Sequence, residues 1–373
     1  MKIGFDAKRL YHNKTGLGAY SRNLIKALLA HKPQHDYELF VHEKYYDNSI
    51  FKYKEFTERT FVSHHLVADY WRIADIKEDI ECEGIQIYHG LSNEIPIVKS
   101  TKCTMVATIH DLIFLRHPEF FPFIDRNIYT YKTKKACENA DIIIAVSQQT
   151  KEDIISFYAT APEKIHVIAP TWDSDYEINI PIIYLEEIRT KYALPEQYII
   201  YVGALHKRKN LVNLIAAYHQ SRLQDISLII VSDGGDDEEN IRKTIQQLHL
   251  EENVFIMNGI PNYELIAFYK MASLCVYPSL YEGFGMPIME AMYMGIPVTA
   301  SNIPTTREVG GDFILYFDPY DIAMMAETLY KAIHDTPWRD TTIPKAQSHI
   351  QKFSPKHCAE SIVKLYGSLD GSQ

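Results

Sequence analysis

Residues 277–298, YPSLYEGFGMPIMEAMYMGIPV, contain the end of an apolar strand, a glycine loop, a helix and the start of another strand. Pro287 suits the first position of the helix, and Gly295 is a residue that commonly ends one. A strand, a helix and a second strand in succession form the repeating unit of parallel sheets. The stretch therefore predicts an α/β fold, with Glu282 in a strand-to-helix loop and Glu290 one turn into the helix.

The same unit recurs along the whole chain. Apolar, β-branched runs without polar alternation are typical of parallel strands buried on both faces. Six lie in the first half and six in the second: KIGFDA, YELFVH, IQIYHG, CTMVATIHD, DIIIAVS and KIHVIAP, then YIIYVGA, SLIIVSDG, NVFIMNG, SLCVYPS, IPVTAS and FILYFDP. A chain of 373 residues exceeds the usual size of one hydrophobic core. We therefore expect two doubly wound domains, joined within the proline-containing, acidic stretch 169–197.

Charge is unevenly placed. Residues 1–170 carry 22 basic and 22 acidic side chains, so the net charge of −10 comes from the remainder of the chain. An acidic protein is a poor ligand for polyanions, which argues against a nucleic-acid partner. The neutral N-terminal part could still approach an anionic membrane or a lipid-linked substrate through local lysines.

The five cysteines are scattered and include no Cys-x-x-Cys pair, which favours reduced thiols in a cytosol and argues against a zinc site. Asp173 and Asp175 have the form of an Asp-x-Asp metal motif, but they do not follow a strand end, so we expect no metal. The N-terminus lacks a signal-peptide core, and no apolar run approaches the 18 residues needed to cross a bilayer.

Four strand-to-helix loops are the candidate site, because ligands of open parallel sheets bind beyond the carboxyl ends of the strands. In the first loop, KTGLGAYS, Gly16 and Gly18 precede a helix predicted to begin near Ala19. Glycines there allow an anion to approach the backbone at a helix N-terminus. The alternative is a plain turn, since the third glycine of the dinucleotide fingerprint is missing.

In the second loop, TIHDL, His110 and Asp111 close a strand. A histidine at this position is expected to be exposed and to hydrogen-bond to ligand hydroxyls. The alternative is that His110 and Asp111 are a capping pair whose hydrogen bonds are made within the protein.

In the third loop, the strand 198–203 ends at Gly203 and is followed by Lys207, Arg208 and Lys209. Three cations at a helix N-terminus oppose the helix dipole, and a bound diphosphate would relieve that repulsion. A solvated run of charges is the alternative.

In the fourth loop, Glu282 can accept hydrogen bonds from ligand hydroxyls, while Gly283 and Gly285 expose backbone N–H groups to a phosphate. Taken alone, Glu290 could be an acid that complements the helix dipole.

These motifs resemble those of the retaining glycosyltransferases of family four, which have the GT-B fold. EGFGMPIME is similar to the family's E-x7-E motif. Further matches in the family's order cover nearly the whole chain: TGLGAYSRNLIKAL, TIHDL, ADIIIAVSQQTKEDI, YVGALHKRKNL, PVTASNIPTTREVGGD and FSPKHCAESIVKLY. The resemblance implies two Rossmann-like domains facing across a cleft: 1–170 on the acceptor side, 171–354 for the donor, and a helix within 355–373 that crosses back to the first domain.

The resemblance also implies roles for individual residues in binding a nucleotide-diphosphate sugar. Glu282 would contact the hydroxyls of the donor sugar, Glu290 the ribose, and Arg208 and Lys209 the pyrophosphate. His110 would lie near the sugar. The remaining donor contacts would come from backbone near Gly16, Gly18, Gly203, Gly283, Phe284, Gly285 and Met286. Many family members have arginine where this chain has Ala204, so Arg208 is a candidate replacement.

The implied activity is transfer of a hexose with retention at the anomeric carbon, without a metal or other cofactor. The acceptor would be a glycan or a polyprenyl-linked glycan in cell-surface polysaccharide synthesis. The motif LHKRKNL resembles that of mannosyl-type members of the family, which favours GDP-mannose over a UDP-sugar. Residues 120–140 mix aromatic side chains with lysines and could meet a membrane at its cytoplasmic face; an ordinary amphipathic helix is the alternative. A nucleotide-sugar epimerase and a non-catalytic nucleotide-sugar-binding protein are the rival functions.

Overall fold

The computed structural model describes residues 1–13, 15–46, 56, 58–98, 100 and 102–369. The chain forms two compact units. The first contains residues 1–173 and 353–373, and the second contains residues 174–352. The unit boundaries thus lie two or three residues from the positions expected from the sequence.

The sheet of the first unit is parallel throughout and has seven strands among the described residues, in the order β3-β2-β1-β4-β5-β6-β7. The strands are β1 Lys2–Asp6, β2 Asp36–His42, β3 Thr60–Ser63, β4 Ile87–Gly90, β5 Thr104–Ile109, β6 Ile142–Ala145 and β7 Ile165–Val167. Six of them coincide with the predicted runs. The edge strand β3 was not predicted, because four residues with polar ends do not make a distinct apolar run.

Helices of the first unit cover both faces of its sheet. They are α1 Lys8–His12, α2 Gly16–His31, α3 Ile76–Cys82, α4 Ile113–Arg116, α5 Phe123–Asn139 and α6 Gln148–Tyr158. Short helical turns at Ala68–Tyr70 and Trp71–Asp75 lead into α3. The inner strands are buried along most of their length, so both faces of the sheet contribute to the hydrophobic core.

The second unit, described in full, has a six-stranded parallel sheet in the order β10-β9-β8-β11-β12-β13. Its strands are β8 Tyr198–Val202, β9 Ser227–Val231, β10 Val254–Met257, β11 Leu274–Tyr277, β12 Val298–Ser301 and β13 Leu315–Phe317. All six coincide with predicted runs. Both sheets are doubly wound, as the alternation of strands and helices predicts.

The helices of the second unit are α7 Ile182–Tyr192, α8 Leu211–Gln220, α9 Glu238–Gln247, α10 Asn262–Met271, α11 Met286–Met294, α12 Pro304–Gly310, α13 Ile322–His334 and α14 Thr336–His349. The predicted stop at Gly295 is confirmed: this residue caps α11 in the left-handed region, with φ 75°. Pro287 occupies the second helical position, one residue later than predicted.

The last helix, α15 Pro355–Gly367, belongs to the first unit and packs against α2. Its Tyr366 hydroxyl lies 2.6 Å from Nδ1 of His89 on β4. Residues 370–373, which the predicted C-terminal segment includes, lie outside the described residues. Among the helices that the structure describes, none has the length and apolar content needed to span a membrane.

Candidate functional site

The order of the strands locates the candidate site of the second unit. The chain runs outward from β8 through β9 to β10 and then returns to place β11 on the other side of β8. The loops that follow β8 and β11 therefore leave neighbouring strands in opposite directions, which creates the crevice where open α/β sheets bind ligands. These are the loops that contain Lys207–Lys209 and Glu282.

The loop after β8 is a tight turn fixed to the loop after β11. Lys207–Lys209 form one turn of 3-10 helix, and Asn210 adopts a left-handed conformation with φ 61°. The Asn210 side-chain amide donates to the carbonyls of Pro278 and Pro319, at 3.1 and 2.8 Å. The backbone N–H of Leu280 donates to the Arg208 carbonyl at 2.8 Å. The two loops are thus one rigid substructure.

This arrangement brings both predicted cations onto Glu282. Lys209 Nζ lies 2.5 Å from Glu282 Oε1, and Arg208 Nη1 lies 3.0 Å from the same oxygen. Lys209 also donates to the Tyr277 hydroxyl at 3.1 Å. Side-chain exposure is 25% for Arg208 but 9% for Lys209, so Arg208 is the more accessible cation.

Glu282 is buried and ionised. Burial by itself would raise the pKa of this carboxyl, but the charges of Lys209 and Arg208 outweigh that effect and lower the pKa to about 2. The site therefore presents a fixed negative charge between two positive ones. A carboxylate of this kind accepts hydrogen bonds from hydroxyl groups and cannot act as a proton donor near neutral pH.

The glycine loop and the start of α11 complete this side of the site. Gly285 has φ 123°, a conformation that side chains rarely adopt, and it caps α11, which begins at Met286. Phe284 is buried, whereas Gly283 is partly exposed. Glu290 lies one turn into α11, as predicted, and its Oε2 accepts a hydrogen bond from the Tyr269 hydroxyl at 3.1 Å.

Gly203 has a conformational reason to be glycine. Its φ is 155°, and a Cβ at this position would lie 2.6 Å from the Tyr201 hydroxyl. Its backbone N–H donates to the Val231 carbonyl at 3.0 Å. The residue therefore shapes the end of β8, and its N–H is already engaged.

In the first unit, the prediction that the helix begins near Ala19 is wrong, because α2 begins at Gly16. Gly16 and Gly18 belong to its first turn instead of a preceding loop. A Cβ on Gly18 would lie 1.8 Å from the Asn13 carbonyl oxygen, so this glycine permits close packing of the chain segment before α2. Asn13 Oδ1 accepts from the N–H groups of Thr15 and Gly18, at 2.8 and 3.2 Å.

The prediction of an exposed His110 is also wrong, since only 9% of this residue is accessible. Its Nε2 lies 2.8 Å from the Leu91 carbonyl oxygen, which can only accept, so Nε2 carries the hydrogen and Nδ1 of the neutral ring is an acceptor. Burial is the main cause that lowers the pKa of His110 to about 4. Tyr20 on α2 contacts the ring edge-on, with centroids 4.6 Å apart.

Asp111 has a local role next to His110: its Oδ1 accepts from the Ile113 N–H at 3.2 Å, at the start of α4. Asp173, one half of the Asp-x-Asp motif, lies 2.7 Å from Lys26 Nζ. Within the described ranges, no group of three His, Cys, Asp or Glu side chains has an arrangement that could hold a metal ion.

Sequence reasoning missed Tyr277 and Asn210. Burial, and secondarily the charge of Glu282, raise the pKa of Tyr277, so its hydroxyl keeps its proton beside Lys209. Asn210 could have been found from its place after a strand, because asparagine is one of the few side chains that tolerate left-handed backbone.

Two doubly wound, parallel-sheet domains, the second with a charged site at its topological switch point, define the GT-B fold class. A model of "Glycosyltransferase Family 4" matches residues 15–176, and a model of "Glycosyl transferases group 1" matches residues 186–349. Together the two matches cover most of the chain. The chain belongs to the family-four glycosyltransferases and is a glycosyltransferase.

Individual proteins are similar over the full length. O-antigen chain mannosyltransferase B of Escherichia coli is 27% identical, with 99% of this chain and 100% of that protein covered. Sucrose-phosphate synthase of Thermosynechococcus elongatus has a TM-score of 0.78 at 20% identity, with both chains fully covered. HepE of Anabaena, in complex with UDP and glucose, has a TM-score of 0.75 at 19% identity, with 99% of this chain and 100% of that chain covered.

Proposed function

We propose that this protein transfers a hexose from a nucleotide-diphosphate sugar to a glycan or lipid-linked acceptor, with retention at the anomeric carbon. The observation that carries the proposal is the ionised Glu282, held between Lys209 and Arg208 at the switch point of the second sheet. An acid fixed in this way recognises sugar hydroxyls, and the adjacent cations suit a diphosphate.

The two cations have different proposed roles. Lys209, which the resemblance assigned to the pyrophosphate together with Arg208, is buried and in this proposal holds Glu282 in place. The more exposed Arg208 contacts the diphosphate. Glu282 accepts hydrogen bonds from hydroxyl groups of the donor sugar, and Glu290 accepts them from the ribose hydroxyls. Backbone groups at Phe284–Met286 and near Gly16 and Gly203 complete the donor contacts. Nδ1 of His110 accepts a hydrogen bond from a sugar hydroxyl.

For the donor, we favour GDP-mannose, with a UDP-sugar as the alternative. Similarity to O-antigen chain mannosyltransferase B supports mannose and a role in cell-surface polysaccharide synthesis. The alternative rests on HepE, whose structure is described in complex with UDP and glucose.

In the proposed reaction, the bond between the anomeric carbon and the diphosphate oxygen breaks, and its electron pair leaves with the diphosphate. Arg208 stabilises the developing negative charge. The acceptor oxygen bonds to the anomeric carbon on the same face, and its proton passes to the departing diphosphate oxygen. The enzyme forms no covalent bond to the sugar and needs no metal.

We further propose that the reaction takes place in the cytoplasm, at the inner face of a membrane. All five cysteines are free, which suits a reducing compartment. On α5, the exposed Phe123 and Ile124 lie on the same helix as four basic and two acidic side chains. Exposed apolar side chains on the same helix as basic ones suit contact with an anionic bilayer that carries a lipid-linked acceptor.

The test is an assay of GDP-mannose, UDP-glucose and UDP-galactose, each with and without octyl glycosides of mannose, glucose and galactose. We expect one donor to be consumed with an acceptor, to give a product with the donor's anomeric configuration by NMR, and to react equally in EDTA. An inverted product or loss of activity in EDTA would refute the mechanism. A donor whose sugar is changed in the absence of acceptor would indicate an epimerase. A donor that protects the protein against heating but is never consumed would indicate a binding protein.

A further inference from the structure

The carboxyl ends of β1 and β4 form the switch point of the first sheet, because the chain runs from β1 to β2 and β3 and then returns to β4 on the other side. Asp6 is the last residue of β1, and Glu94 follows β4 by four residues. Two carboxylates thus occupy the edge where an open α/β sheet binds its ligand. Neither is among the site residues described above.

The turn that contains Glu94 also holds His110. The Leu91 carbonyl accepts from His110 Nε2 at 2.8 Å, and the Asn93 side chain accepts from the His110 N–H at 2.6 Å. Asn93 has a left-handed backbone, with φ 61°, and its own N–H donates to the Thr108 carbonyl. Glu94 therefore has a fixed position next to the histidine that we assign to the sugar.

A buried arginine orders the two carboxylates. Arg72 donates through Nε and Nη2 to Asp6 Oδ2, at 2.8 and 2.5 Å, and through Nη1 to Glu94 Oε2. Asp6 is only 6% exposed, and its Oδ1 accepts from the Lys8 N–H at 3.0 Å. Glu94 is more accessible, and its Oε1 has a longer contact, 3.4 Å, with Lys132 Nζ. Of the two acids, Glu94 is the one with an oxygen that can accept a further hydrogen bond.

The charge state and surroundings of Glu94 narrow the class of ligand. Burial would raise its pKa, but Arg72, Lys132 and Arg9 together lower it, so the side chain is an acceptor only. A metal ion is disfavoured because these three cations surround the carboxylate. An anionic group such as a carboxylate or a fully ionised phosphate has no proton to donate to Glu94. A neutral hydroxyl group is the partner that fits.

We propose that Glu94 binds a hydroxyl group of the carbohydrate acceptor, with Arg72 and Lys132 as the residues that position its carboxylate. This inference rests on the proposed transferase function and adds the acceptor side of the same reaction. It makes Glu94 a determinant of acceptor affinity in the first unit, separate from the donor residues in the second.

The test compares Glu94→Gln with Glu81→Gln in the full chain. Glu81 is a matched control: its side chain is 19% exposed, as is that of Glu94, and it is also ion-paired, with Lys102, in the same unit. The measurements are the KM for octyl α-D-mannoside with GDP-mannose, the Kd for GDP, and saturation-transfer NMR of octyl α-D-mannoside on the GDP-loaded enzyme.

For Glu94→Gln we expect a KM for the mannoside raised by about tenfold or more, because a hydrogen bond to a charged group is lost. The NMR signal should fall in parallel, with the Kd for GDP unchanged; Glu81→Gln should match the wild type. Equal mannoside binding by Glu94→Gln and the wild type, or no binding to the wild type, overturns the inference. If the wild type binds the mannoside without turnover and Glu94→Gln loses that binding, the acceptor site stands and the proposed transfer fails.

Discussion

The Lys209 ammonium nitrogen lies 2.5 Å from Glu282 Oε1, and both side chains are about nine-tenths buried. Neither charge has enough contact with water to be stable alone, so each depends on the other. The pair is also covered by Tyr277, whose hydroxyl accepts from Lys209. A substitution at either residue therefore changes both the chemistry of the site and the stability of the second unit.

Glu282→Gln should reduce transfer by about 100-fold or more, because a neutral amide is a weaker acceptor for sugar hydroxyls and leaves the site with excess positive charge. The free energy of unfolding should fall by up to about 3 kcal/mol, because Lys209 loses its counter-charge. The variant should therefore unfold at a lower urea concentration. GDP binding should be largely retained, since Arg208 remains. Turnover, urea unfolding and calorimetry measure the three effects.

Glu264→Gln is the control for loss of a buried carboxylate that is paired with a lysine in the same unit. Glu264 is buried and lies 2.7 Å from Lys191, outside the loops that form the site. We expect some loss of stability but normal turnover. Equal loss of turnover and GDP binding in Glu282→Gln would contradict the assignment of Glu282 to the sugar.

Arg208→Gln should weaken GDP binding by about tenfold and GMP binding much less, because the arginine is assigned to the second phosphate. Lys207→Gln is the matched control, since Lys207 is in the same turn and is exposed. Its affinities for both nucleotides should change by less than about twofold. Calorimetric titration of both variants decides the matter: similar weakening of GDP and GMP by Arg208→Gln would show that the phosphate assignment is wrong.

The sequence predicted the strands well because parallel strands buried on both faces are continuous apolar runs. Twelve such runs match strands. The strand β3 was not predicted, because an edge strand of four residues, TFVS, does not need a continuous apolar run. The loop residues 207–209 and 282–285 were also predicted, because strand ends, glycines and charges can be recognised in the sequence alone.

Burial and pairing at the site could not be predicted in the same way. His110 follows a strand, as a ligand-facing residue would, but its exposure depends on Tyr20 and on the turn at Leu91, which are distant in sequence. Gly18 is typical of an anion loop, yet the Asn13 backbone contacts it. Similarly, Glu94 and Asp6 both pair with Arg72, which is distant from each of them in the sequence, so no short motif contains the group.

His110 should remain neutral well below the usual range for histidine. Its folded-state pKa is about 4, whereas an unfolded histidine titrates near 6.5, so only the unfolded chain gains a proton between these values. Stability from this group is therefore present above about pH 6.5 and is lost as the pH falls towards 4, by up to about 1.4 kcal/mol per pH unit. Urea midpoints of the wild type and His110→Gln at pH 7, 6 and 5 should show a smaller slope for the variant; identical slopes would contradict burial of a neutral ring.

Gly18→Ala should destabilise the protein, because a Cβ would lie 1.8 Å from the Asn13 carbonyl oxygen and 2.8 Å from Arg22 Nη1. We expect a thermal midpoint lower by roughly 5 °C. Gly367→Ala is the control, since a Cβ there meets nothing within 4 Å. If Gly18→Ala instead keeps the wild-type midpoint and loses GDP affinity, then the glycine is needed for a phosphate to approach the backbone and not for packing.

Phe123→Ser combined with Ile124→Ser should reduce binding to vesicles that contain anionic lipid by about tenfold or more. These side chains are 69% and 71% exposed at the start of α5, and each apolar side chain that enters a bilayer contributes roughly 1.5–3 kcal/mol. The second unit offers a matched pair in Ile182 and Ile183, which are 75% and 67% exposed. Ile182→Ser with Ile183→Ser should sediment with vesicles as the wild type does. Equal loss in both double variants would mean that α5 is not the membrane contact, and binding to neutral vesicles as strong as to anionic ones would exclude a contribution from its basic residues.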